Sequence, residues 1–216
     1  MRTPFAIALG LALAAGSAHA QDATAALARA EHAYHELQTL RASFVQVLIN
    51  PMLGAPDTTH GMLYLQPPRR FAMRFSEPKG DRIVVDGTWL WAYTPSTVPD
   101  QVIKQPAPQT GATTPNLFAQ FVEDPGTRYA ATYAGRDTVA GDPVDLVHLV
   151  PKVEGLPFRE ATIAVSTTSG LLRRLDLVET SGQRRRLVLV RLEPNATIPA
   201  AEFAFQVPHG VRVVTP

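Results

Sequence analysis

No cysteine occurs in the 216 residues. Its absence excludes disulfide staples, thiolate zinc sites, cysteine nucleophiles and an acylated N-terminal cysteine. Net charge is nearly absent as well, at a formal +1. Arg2, one of 20 basic residues, is the sole charge in the first twenty positions, which leaves 19 basic against 19 acidic residues beyond it. Such a balance lacks the basic footprint of a nucleic-acid binder. The chain also carries no G-x-S-x-G elbow, no G-x-G-x-x-G, no P-loop and no H-E-x-x-H, so common hydrolase, nucleotide and metalloprotease signatures are missing. Past the N-terminus, no apolar run is long enough for a membrane-spanning helix.

What is present suits a packed core. Hydrophobic residues make up 45% and charged residues 18%, a globular composition at about one domain's length. Nineteen prolines favour short elements with hard stops over long helices. Residues 1–20 read as a secretory signal peptide: Arg2 supplies the positive start, residues 5–15 a short apolar run, and Ala18-His19-Ala20 the small-x-small cleavage site. The expected mature chain is a single exported domain, residues 21–216.

Residues 22–40 have helical period, with Leu27, Ala30, Tyr34 and Leu37 on one stripe. The period then becomes two. Phe71, Met73 and Phe75 alternate with Arg70, Ala72 and Arg74, the pattern of a strand with one wet face. Strands are expected at 61–65, 71–75, 83–85, 89–93, 102–103, 129–133, 146–150, 161–166, 172–180, 185–192 and 203–207, with Asp86-Gly87 as a hairpin turn. Thr114-Pro115 opens a short helix over 116–122. This is one α+β domain, an antiparallel sheet of about ten strands with too little helix to cover its apolar face. Such a sheet must curl into a barrel or half-barrel, which leaves room for an apolar cavity.

The chemistry-bearing residues point to no reaction. His32 and His35 lie three apart on the helix without a third ligand and read as solvent-facing. Asp81 and Asp86 pair with nothing as acid and base. Arg184-Arg185-Arg186 alternates in direction along a strand, so it is either a charged, protected sheet face or a phosphate contact. What remains is the stripe Leu63, Leu65, Phe71, Met73, Phe75, Trp91 and Tyr93: an ordinary core or the lining of a ligand cavity.

An ordered set of motifs adds to this reading. A leader and helix end in Ala42-Ser43-Phe44-Val45-Gln46. Gly61-Met62-Leu63-Tyr64-Leu65, Pro68 to Phe71 and Asp86-Gly87-Thr88-Trp89-Leu90-Trp91-Ala92-Tyr93 follow, then Val150-Pro151-Lys152 and Glu202-Phe203-Ala204-Phe205 running to Pro208-His209-Gly210-Val211. Over nearly the whole mature chain this resembles the LolA family of periplasmic outer-membrane lipoprotein carriers. The resemblance implies an incomplete, unclosed antiparallel β-barrel with a helical lid over an apolar cavity, and a monomeric binding protein with no catalytic residue, metal or cofactor. It implies acylated lipoproteins as cargo, an ATP-driven inner-membrane transporter as donor, and an outer-membrane acceptor lipoprotein or the membrane itself as recipient. The cavity is then expected from Phe44, Leu63, Leu65, Phe71, Met73, Phe75, Trp91 and Tyr93, with Met73 replacing an aromatic. The lid is expected from Leu37, Leu117, Phe118 and Phe121. The family's arginine before the proline after the second strand, which helps hold the lid shut, is Pro67 here, so Arg69 or Arg70 is the expected latch.

A lipid- or envelope-stress-sensing protein of the same fold is the alternative. It would carry a further C-terminal domain, and the chain ends at Pro216. An acceptor lipoprotein would need a cysteine after the leader, and a hydrolase would need a nucleophile with its base.

Overall fold

The structure is a computed structural model that describes residues 14–52, 54–107 and 119–215, with side chains from Asp22 onward. Helix α1 (Ala14–His35) leads into β1 (Leu40–Ile49), β2 (Pro56–Gln66), β3 (Arg70–Glu77), β4 (Arg82–Asp86), β5 (Trp89–Tyr93) and β6 (Gln101–Pro106). Two single-turn helices follow, α2 (Ala119–Val122) and α3 (Pro125–Arg128). The chain continues through β7 (Tyr129–Val139), β8 (Asp142–Pro151), β9 (Phe158–Ser166), β10 (Leu172–Glu179) and β11 (Arg184–Pro194). It ends with a 3₁₀ turn (Ala200–Phe203) and β12 (Arg212–Val214).

All twelve strands form one sheet in the order β12-β6-β5-β4-β3-β2-β1-β11-β10-β9-β8-β7. Each neighbour pair is antiparallel except β12 with β6, and the ends β12 and β7 do not pair. The curled sheet is therefore an unclosed barrel. In the middle of the sheet β1 pairs with β11, which joins the two halves of the chain across 10 residues of β1.

Strict alternation separates the two faces. In β1, Leu40, Ala42 and Phe44 are buried while Arg41, Ser43 and Val45 are less so. Cross-strand register carries this face along: Phe44 opposes Gly61, Ala42 opposes Leu63, Leu40 opposes Leu65, and Leu63 and Leu65 oppose Met73 and Phe71. Gly61 makes space for an aromatic. A Cβ there would lie 2.2 Å from the Arg74 carbonyl oxygen and 2.8 Å from the Phe44 ring. The same face continues through Leu187, Leu189, Leu175, Ile163, Val165, Val147 and Leu149 in one core cluster. Each such side chain contributes about 1.5–3 kcal/mol by leaving water.

The structure differs from the sequence expectation in several places. The helix expected over 22–40 spans Ala14–His35, so it starts inside the proposed leader and stops earlier. Beyond it the backbone is claimed by the far end of β11: the Gln38 N–H donates to Asn195 Oδ1 at 2.9 Å and the Asn195 N–H to the Thr39 carbonyl at 2.7 Å. The strand expected over 203–207 is not one. Phe203 closes the 3₁₀ turn, and it and Phe205 pack on the outside of the sheet against Ala72, Val84, Trp91 and Tyr64. Their alternation comes from packing rather than from a ladder. The short β12, three residues long, takes the ladder instead. Of the helix expected over 116–122, Ala119–Val122 is present as α2; Leu117 and Phe118 lie outside the described residues.

Candidate functional site

The concave face of the sheet is covered by helices rather than by a second sheet. Helix α1 lies against β7, β8, β9 and α2. Its inner side chains from Ala23 on are Ala23, Ala26, Leu27, Ala30 and Tyr34, all buried, and the chain beyond adds Leu37. Three of these five are alanines, and a buried methyl group contributes only about 0.8 kcal/mol. Leu27 and Tyr34 therefore supply most of the apolar seam that attaches the helix. On the other flank, Phe121 of α2 is fully buried, its ring 5.9 Å from that of Tyr129 and 5.5 Å from that of Phe158. The Tyr129 hydroxyl donates to the Gln120 carbonyl at 2.9 Å, so α2 is pinned to β7.

Beneath α1 a void of about 20 Å³ remains, lined by Ala30, Tyr34, Leu37, Leu40, Leu65, Val122 and Gly170 to Leu172. That is room for about one water. With α1 in this position, the described residues leave no space for a hydrocarbon chain beneath it.

Phe44, Leu63, Leu65, Phe71 and Met73 are all buried on the concave face, and Phe75 joins them half-buried, edge-on to Phe44 at 5.3 Å. Trp91 and Tyr93 do not. The register Phe71–Val85–Leu90 points inward, whereas Ala72–Val84–Trp91 points outward. Two residues of tight turn after Asp86 place Leu90, not Trp91, on the inner face. Outside, Trp91 stacks on Phe205 at 5.2 Å and its indole N–H donates to Asp86 Oδ2 at 3.1 Å. The Tyr93 ring meets the same Phe205, with the Arg82 guanidinium 5.7 Å from its centre. These two aromatics fasten the C-terminal segment to the outer wall.

Arg69 and Arg70 are exposed at the β2–β3 turn, and Arg70 Nη1 donates to Gln66 Oε1 at 3.4 Å. Among the described residues neither reaches α1 or α2. The tie between lid and sheet is Arg29 of α1, whose guanidinium is paired with Asp145 of β8. Asp145 also accepts the Tyr133 hydroxyl at 2.9 Å and Arg136 Nε at 3.3 Å. Burial by itself raises the Asp145 carboxyl pKa, but the donors Tyr133, Arg29 and Arg136 outweigh it and hold the group below its ordinary value. Burial, then the bond to Asp145, push the Tyr133 phenol upward.

A second contact seats the helix. Gly170 in the β9–β10 turn has φ +72°, and a Cβ there would be 2.7 Å from the Arg29 carbonyl oxygen and 2.9 Å from the Ala33 Cβ. The turn meets the helix backbone directly. Sequence reasoning missed Arg29, Asp145 and Gly170. A signal for Asp145 was there: it falls in phase with Val147 and Leu149, an acid on an apolar face, which requires partners.

At the other end of the concave face a polar network crosses four strands. Gln46 and Thr59 are buried and bonded at 3.4 Å, and Arg185 donates to Gln46 Oε1 at 3.1 Å and to Glu179 at 3.0 Å. Arg185 thus faces inward while Arg184 and Arg186 are exposed, so the arginine run is split between faces. His32 and His35 are exposed, and no group of His, Cys, Asp or Glu among the described residues is arranged to hold a metal. No helix among them is long and apolar enough to cross a membrane.

A family profile described as outer membrane lipoprotein carrier protein LolA matches residues 35–206. The chain belongs to the LolA family. A protein of Pseudomonas aeruginosa (strain UCBPP-PA14) named outer-membrane lipoprotein carrier protein is 30% identical over 215 residues, covering 99% of this chain and 98% of that one. Among solved structures, an uncharacterized conserved protein from Thermus thermophilus superposes with a TM-score of 0.57 at 14% identity, covering 91% of this chain and all of that one. MucB superposes with a TM-score of 0.53 at 17% identity, covering 86% of this chain and 63% of that one. Those two likenesses concern the fold alone. The LolA match thus runs from the end of α1 through β1 to β11 and on to the outer strap at Phe205.

Proposed function

We propose that this protein is a periplasmic lipoprotein carrier that binds the acyl chains of lipoproteins leaving the inner membrane and delivers them toward the outer membrane. One observation carries the reading. An unclosed apolar sheet in a LolA-family chain is covered by a helix held by Leu27, Tyr34, three alanines and one ion pair. Cargo is bound, not transformed. A chain of about 16 carbons releases roughly 12 kcal/mol on leaving water, so a soluble carrier must keep it as dry as a membrane does. Loading from a bilayer is then near balance, which suits an ATP-driven transporter as donor. Unloading needs only a better acceptor, either an outer-membrane lipoprotein or the bilayer. The leader in residues 1–20 supplies export, and the carrier works as a monomer.

The test is to incubate spheroplasts with the purified protein. Lipoproteins are expected in the soluble fraction in proportion to added carrier. Retention of all lipoproteins in the membrane, under conditions in which an established carrier releases them, overturns the proposal. The sensing alternative shares its fold with MucB, and a shared fold does not carry a function.

A further inference from the structure

The inward positions of β1 read Leu40, Ala42, Phe44 and then Gln46. The neighbouring strands change character at the same place. On β2, Leu65, Leu63 and Gly61 give way to Thr59, which stands directly opposite Gln46. On β11, Leu189 and Leu187 give way to Arg185, one pair beyond, whose Nη1 reaches back to Gln46 Oε1 at 3.1 Å. On β10, Leu175 and Leu177 give way to Glu179, which accepts from Arg185 at 3.0 and 3.2 Å. Four adjacent strands thus share an apolar stretch that ends on one polar crossbar.

We propose that this crossbar limits the length of acyl chain the carrier accepts: Gln46, Thr59 and Arg185 stop a hydrocarbon chain laid along the sheet from the Leu40 end. The proposal rests on the carrier reading. At about 3.3 Å per residue, the stretch from Leu40 to Gln46 spans about 20 Å. A hydrocarbon of roughly 1.5 Å bonds at tetrahedral angles advances about 1.25 Å per carbon, so about 16 carbons fill it.

The crossbar does not depend on where α1 sits. The helix lies against β7, β8, β9 and α2, whereas the polar groups are carried by β1, β2, β10 and β11. In the carrier reading a chain takes the concave face as α1 moves aside, and the crossbar stays where its strands hold it. Two properties make it a stop. Gln46 and Thr59 are buried and bonded to each other, and Gln46 also to Arg185. A methylene pressed between them gains less than the parting of those partners loses. Arg185 and Glu179 keep 31% and 23% of their side chains in water, so a chain driven past Gln46 meets a wet ion pair instead of dry surface.

The test measures saturated fatty acids of 10 to 22 carbons as competitors of a fluorescent palmitate analogue. Moving α1 costs the same for every length and drops out of the comparison. In the unsubstituted protein, affinity is expected to rise about fourfold per methylene up to about 16 carbons and less than about twofold per methylene beyond. Gln46→Leu with Thr59→Val removes both partners of one bond together and leaves Arg185 its contacts to Glu179. The dry stretch then runs on to Leu48, the next inward position of β1, and the break is expected about five carbons later. Thr58→Val, at an exposed position on the same strand, is expected to leave the break where it was. If the double variant does not fold, Gln46→Met, close in length and shape, carries the same direction of shift. A steady rise to 22 carbons in the unsubstituted protein, a break that stays in place in the folded variant, or equal weakening at all lengths overturns the length limit and leaves the carrier reading standing. Failure of the unsubstituted protein to bind any of the acids removes the carrier reading, and the length limit with it.

Discussion

Substituting Arg29 by methionine isolates the tie between lid and sheet. Methionine keeps most of the apolar stem and removes the charge that meets Asp145. A hydrogen bond to a charged group contributes about 1.5–3 kcal/mol. The Arg29 side chain is 38% exposed against 9% for Asp145, so solvent screening lowers this to about 1–2 kcal/mol. The apolar seam of Leu27, Tyr34 and the alanines stays, and so do the Tyr133 and Arg136 contacts to Asp145, so the protein remains folded. Helix opening is then favoured about 5- to 30-fold. Amide hydrogen exchange reads this directly: protection in residues 22–35 falls by that factor while β1 and β2, in the centre of the sheet, keep theirs. Uptake of a fluorescent fatty acid becomes faster in step. Asp145→Asn alone and combined with Arg29→Met completes a cycle in which the pair's losses are less than additive. Unchanged protection of α1 in Arg29→Met, or strictly additive effects, refutes the assignment of this pair as the latch.

Gly170→Ala strains a φ of +72° and drives a methyl group into the Arg29 carbonyl. It is expected to cost about 1–2 kcal/mol from the backbone alone and to raise helix exchange much as Arg29→Met does, measurable by the same protection factors and by thermal unfolding. Acid should loosen the lid. The native Asp145 pKa lies below its ordinary value of 3.8, so its contribution is complete above that value and fades as pH falls through the lower native one. A titration of α1 exchange should show this acid-side loss, and Asp145→Asn should abolish it. Both tryptophans sit on the outer wall: Trp91 stacks on Phe205, and Lys104 Nζ lies 4.0 Å from the centre of Trp89. Tryptophan emission should therefore stay constant on fatty-acid loading, and a blue shift on loading would contradict the outward register of β5.

The sequence by itself determined the class of molecule. Its period-two stripes from Phe44 to Leu189, its hard turns at Asp86-Gly87 and Ser169-Gly170, and its shortage of helix dictated a curled antiparallel sheet with an apolar concave face, because alternation is a local property of each strand. The inward placement of Phe44, Leu63, Leu65, Phe71 and Met73 was legible for that reason. The orientation of Trp91 and Tyr93 was not, since a shift of one residue in register inverts a strand, and the β4–β5 turn alone sets that register. Neither was the latch. Arg29 and Asp145 are separated by 116 residues, and only the packing of α1 across β7 and β8 brings them together. The same holds for Gly170, whose turn looked like punctuation until the helix backbone came to rest against it. Short-range pattern decides which face is apolar; long-range packing decides what covers that face and how firmly.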